Sequence, residues 1–93
     1  MYNKLNKNQI KAIEEHIKHI IVLMEKTEDK ADKAFSEGKG ETGNNYMNSV
    51  ERIGEELKGI DFMLNVLGYC RDYRMGEDWY HPIITVRKYG QEH

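Results

Sequence analysis

The side chains with the most chemistry in this 93-residue sequence are four histidines, one cysteine and a late cluster of tyrosine, tryptophan and arginine. His16 and His19 lie three apart beside Glu14 and Glu15, a spacing that puts both imidazoles on one helix face, where they can meet a metal. A carboxylate-bridged bundle site needs Glu-x-x-His on facing helices, and neither that spacing nor a second copy is present. Both therefore read as solvated surface histidines. His81, beside Trp79 and Tyr80, has the chemistry of a base or a third ligand, yet the sequence fixes no serine or carboxylate against it. Arg71 can lower the thiol pKa of Cys70, but without a second cysteine or a base Cys70 reads as an inert residue at a helix end. The run Gly38-Lys39-Gly40-Glu41-Thr42-Gly43 lacks the spacing of a phosphate-binding loop and follows a helix, so it reads as a turn. The expectation is a non-enzymatic protein with no metal and no cofactor.

Binding is better represented than catalysis. Residues 69–93 hold the only tryptophan, four of the six tyrosines and three of the four arginines. These side chains dominate the energetic centres of interfaces, because each joins a large body to a polar handle. Tyr73, Arg74, Trp79, Tyr80 and Arg87 crowd around Gly76 and form the predicted recognition surface. Arg71, Arg74, Arg87 and Lys88 are balanced by Asp72, Glu77, Asp78 and Glu92, so the segment has no net charge and nucleic acid is not the expected partner. A host or cognate protein is.

Two helices must position that segment. Ile10, Ile13, Ile17, Ile20, Met24, Thr27, Ala31 and Ala34 follow one another at steps of three and four, as do Tyr46, Val50, Ile53, Leu57, Ile60, Leu64 and Leu67. The spacing predicts a helix over about 8–37, a glycine-rich loop over 38–43 and a second helix over about 44–68, folded back as an antiparallel hairpin. Asn6 or Asn8 can cap the first helix with Leu5 as a staple, Gly38 can end it, and Thr42 or Asn44 can restart the chain. Phe35 and Tyr46 can fill the thin end of the seam opposite Thr27, Ala31 and Ala34. Gly54 and Gly59 each cost about 1 kcal/mol relative to alanine inside a helix, which close approach of another backbone or simple tolerance explains. The tail, 69–93, reads as a β-hairpin turning through Gly76-Glu77-Asp78 or as an extended arm, with Pro82 at a strand start.

The seam does not account for all the apolar residues. Ile21, Val22 and Leu23 widen the apolar surface of the first helix, and Phe62 and Met63 that of the second. Two helices cannot bury both of their sides. Either the tail or a second copy must cover the excess, and the expectation is a homodimer in a four-helix arrangement, with these five residues at the contact.

Global features bound the rest. The length suits one domain. The formal charge is −2 with signs interspersed, so no field favours a membrane or nucleic acid. A lone cysteine excludes an internal disulfide and fits a reducing, cytoplasmic setting. Met1 to Gln9 is polar, unlike a secretory leader, and the longest apolar run, Ile20 to Met24, is far short of a membrane span. Richness in lysine, isoleucine, asparagine and tyrosine is what AT-rich coding sequence gives, a hint of a low-GC bacterium or its phage.

The stretch Leu57-Lys58-Gly59-Ile60-Asp61-Phe62-Met63-Leu64-Asn65-Val66-Leu67-Gly68-Tyr69 resembles the closing helix of small helical-hairpin accessory proteins of phages and prophages. It spans about a seventh of the chain. The resemblance implies a protein that acts by binding a host protein, as anti-CRISPR and other anti-defence inhibitors do, and it transfers no residue role. A second reading is an oligomer that sequesters a small anion, such as a cyclic nucleotide, between tyrosine and arginine side chains.

Overall fold

Asn6 starts the first helix by a reciprocal cap. In the computed structural model, which describes residues 5–78 and 80–88, its side chain accepts the Gln9 N–H at 2.8 Å while its own N–H donates to Gln9 Oε1 at 2.9 Å. Leu5 just before the cap and Ile10 in the next turn both pack on the core, as a staple requires. Helix α1 then runs Lys7–Ser36. Gly38, at φ 78°, ends it in a left-handed conformation that costs glycine little. The Lys39 N–H reaches the Ala34 carbonyl at 2.8 Å and the Gly38 N–H the Phe35 carbonyl at 3.0 Å, a double closure that satisfies the last turn.

Helix α2, Gly40–Val66, begins at once, so the connection is residues 37–39 and not the longer 38–43 loop that the glycines suggest. Gly43 explains the difference. It is buried inside the first turn of α2, where a Cβ would come within 2.6 Å of the Phe35 ring. The missing side chain serves helix packing rather than loop freedom. Phe35 fills the thin end of the seam by lying on that glycine. No side chain caps α2, so neither Thr42 nor Asn44 restarts the chain.

Both predicted seams face inward. Ile17, Ile20, Thr27, Ala31 and Ala34 are buried on α1, and Val50 and Leu64 on α2. The Thr27 hydroxyl donates to the Leu23 carbonyl at 2.7 Å, which satisfies the one buried polar side chain among them. After Gly68, again left-handed at φ 86°, the chain forms strands β1, Tyr69–Arg74, and β2, Ile83–Lys88. They pair antiparallel with Tyr69 opposite Lys88 and Arg74 opposite Ile83, so the tail is a hairpin rather than an arm. Its connection, residues 75–82, is longer than a turn at 76–78, and Pro82 is buried immediately before β2.

The core lies where this hairpin closes over the helices. Ile17, Ile21, Leu64, Tyr69 and Val86 form it, with Leu5, Ile10, Ile13, Leu57, Ile60, Leu67 and Ile84 around them. One expectation is thereby corrected. Ile21 is only 6% exposed and packs in the same cluster as Val86 and Tyr69, so the tail, and not a second copy, covers this side of α1. Val22 is half-buried, whereas Leu23, Phe62 and Met63 stay exposed. Among the described residues no helix is long and apolar enough to cross a membrane.

One acid on α1 gives the fold a pH dependence. Partial burial, then repulsion from Glu28 and Asp29, lifts the Glu25 carboxyl above the usual carboxylate range. The folded state thus holds this proton more tightly than the unfolded chain does, and stability falls as pH rises from the ordinary value of 4.5 through the raised folded value. Glu25→Gln is expected to remove this loss. Its melting temperature should exceed the parent's at pH 7 and converge with it in acid, and an unchanged difference across the titration would exclude the mechanism.

Candidate recognition surface

Alternation along the strands sorts the tail into two faces. Tyr69, Arg71 and Tyr73 share one with Lys88, Val86 and Ile84, while Cys70, Asp72 and Arg74 share the other with Arg87, Thr85 and Ile83. The first face meets the helices and is held by three polar ties. Tyr69 Oη accepts the Leu5 N–H at 3.1 Å. Arg71 Nε and a terminal guanidinium nitrogen donate to the two oxygens of Asp61, each at 2.8 Å, a bidentate fork between β1 and α2. Glu14 Oε2 accepts the Val86 N–H at 2.9 Å, so a carboxylate of α1 blocks one outer edge of the two-stranded sheet. The Asp61 hydrogen bond raises the Arg71 pKa further, against burial, which fixes the guanidinium as a cation. Its Cζ lies 5.1 Å from the Tyr73 ring centroid.

These ties hold the base of the hairpin and leave its tip exposed. Tyr73, Met75, Tyr80 and Ile83 are between 37% and 49% exposed, and Arg74 is exposed with no ion pair among the described residues. Asp78 orders the connection by accepting the Tyr80 N–H at 2.8 Å on its side chain and the His81 N–H at 3.0 Å on its carbonyl. Its Oδ1 also lies 2.9 Å from His81 Nδ1. Gly76 passes so close under the His81 carbonyl that no Cβ fits there. These contacts order the backbone of the connection around Asp78 and His81. Beside it, Asp72, Tyr73, Arg74, Ile83 and Thr85 line an open groove of about 470 Å³.

The predicted set is thus divided. Tyr73, Arg74 and Tyr80 gather at the exposed tip. Arg87 sits nearer the base, where its Nε donates to Asp72 Oδ2 at 2.6 Å. Trp79 lies outside the described residues. Tyr69 and Arg71, part of the same aromatic and arginine excess, are structural. Met75 and Ile83 join the tip although nothing in their spacing marks them. The three ties were equally hard to foresee, and only Asp61 left a signal, as a lone charge within the apolar run 60–64.

The other chemical candidates stay apart. Cys70 sits opposite Arg87 at the base, and His81 is at the tip. His16 faces Glu56 at 3.7 Å in an exposed pair between the helices. Among the described residues no group of three or more His, Cys, Asp or Glu is placed to hold a metal ion. Comparison with family models, curated proteins and solved structures finds no match to this chain.

Proposed function

We propose that this protein is a non-enzymatic binding module that recognises another protein through the tip of its β-hairpin. The observation that carries this reading is the contrast between a hairpin base tied to both helices and a tip that exposes Tyr73, Arg74, Met75, Tyr80 and Ile83 together. Aromatic and arginine anchors carried on an ordered backbone have less entropy to lose on binding than the same side chains on a disordered one. The task that suits such a module is inhibition or modulation of another macromolecule, of the phage anti-defence kind. Two copies associate as a dimer in a four-helix arrangement, through the apolar side chains that the hairpin leaves uncovered.

The test is affinity capture from host lysate. Tyr73→Ala combined with Arg74→Ala should abolish a stoichiometric capture that the parent makes, since such anchors cost about 2 kcal/mol or more each. The helical circular dichroism spectrum should not change. Lys11→Ala combined with Lys18→Ala, an exposed and a half-buried lysine of α1 away from the hairpin tip, should capture as the parent does. Loss in the lysine variant with retention in the tip variant would place the partner on the helices. The second reading, anion sequestration, draws on Arg74 and Thr85 in the 470 Å³ groove. Asp72 lines the same groove and opposes an anion, which favours the protein partner.

A further inference from the structure

The uncovered side of α2 has a shape that fits itself. Along a helix, residues two apart point about 200° from each other. Asp61 is held toward the hairpin by Arg71, so Gly59 and Met63, two positions before and after it, lie on the opposite side of α2. There Ile13, Glu56, Gly59, Ile60, Met63, Leu64 and Leu67 line a groove of about 370 Å³, apolar except for the Glu56 carboxylate, which pairs with His16 of the same protomer. Exposed positions 59, 62, 63 and 66 carry no charge, in a chain whose residues are 32% charged. Phe62, Met63 and Val66 are 66%, 56% and 63% exposed, and together with the groove they make one patch.

Gly59 decides what covers it. A Cβ there would meet nothing within 4 Å, so no contact inside the protomer requires glycine at this helix-interior site. Met63, one turn later on the same stripe, is a long and adaptable knob. Notch and knob on a single helix are met together by the same helix turned through a two-fold axis. An antiparallel neighbour centred on the level of Asp61 sets Gly59 against Met63 of the second copy, and Met63 against its Gly59. A foreign helix would have to reproduce both halves.

We infer that the occupant of this face is a second copy of the chain, with α2 packed antiparallel on α2 and Gly59 as the point of closest approach. The inference rests on the self-association proposed above and assigns its contact. Equilibrium sedimentation tests it. The parent should be dimeric at high micromolar concentration. Gly59→Leu duplicates the knob and Met63→Ala duplicates the notch, so each alone should weaken the dimer about tenfold or more. Helical circular dichroism should be retained in both, because Gly59 has open space around it within the protomer and Met63 is largely exposed. An equimolar mixture should recover a heterodimer of nearly parental affinity, since leucine then faces alanine and methionine faces glycine. A parent that stays monomeric overturns both the inference and the self-association reading. A dimer that ignores both substitutions, or a mixture that shows no recovery, overturns this contact and leaves self-association through another surface.

Discussion

Leu64→Ala is expected to destabilise the protein by about 2–5 kcal/mol, the range for removing a buried leucine from a core that cannot fully collapse. Leu64 is 2% exposed and belongs to the cluster of Ile17, Ile21, Tyr69 and Val86, so it touches the place where both helices and both strands meet. Domains of this size hold roughly 5–15 kcal/mol in total, which makes the loss a large share of the margin. Urea unfolding followed by circular dichroism would measure it. The same substitution at Phe62, 66% exposed, should cost far less, and equal losses at the two sites would contradict this placement of the core.

Asp61→Asn should release the β-hairpin. It takes one charge from the bidentate pair and leaves the Arg71 guanidinium, whose side chain is 15% exposed, facing a neutral amide. Hydrogen bonds to charged groups contribute about 1.5–3 kcal/mol, and fully exposed pairs well under 1 kcal/mol. With Asp61 a third exposed, a loss of about 1–3 kcal/mol is expected. The readout is selective. Near-ultraviolet dichroism of the tail aromatics and protease resistance around residues 75–82 should fall while the helical signal persists. A double-mutant cycle with Arg71→Gln isolates the pair, and a coupling indistinguishable from zero would mean that apolar contacts alone dock the hairpin.

The helices were legible because their signals are local. Steps of three and four, an asparagine with a glutamine three later, and a glycine after the last apolar residue are all readable within a few turns of chain. Gly43 misled because a glycine that admits a neighbouring ring and a glycine that frees a loop are identical in sequence. Leu57, mid-seam by spacing, is only half-buried, since the centre of the core depends on where the tail docks. That docking joins Leu5 to Tyr69 and Glu14 to Val86, separations of 64 and 72 positions that no periodicity encodes. For the same reason the tail's tyrosines and arginines could be counted but not sorted. Tyr69 and Arg71 are tied to the helices at the hairpin base, whereas Tyr73, Arg74 and Tyr80 are exposed toward its tip. That division is set by distance along the hairpin and not by alternation, since Tyr73 shares a face with Tyr69 and Arg71.

The tie between Glu14 and Val86 also sets a timetable for biosynthesis. Translation runs at about 5–20 residues per second, so the 72 positions between these partners take roughly four to fourteen seconds to make. During that interval the helical pair can form from near-neighbour contacts, but Ile17, Ile21 and Leu64 have no lid. The nascent chain carries an open greasy groove until β2 clears the ribosome. Chaperone demand and vulnerability to premature termination therefore concentrate at the codons for β2, although both helices that it covers are encoded well before them.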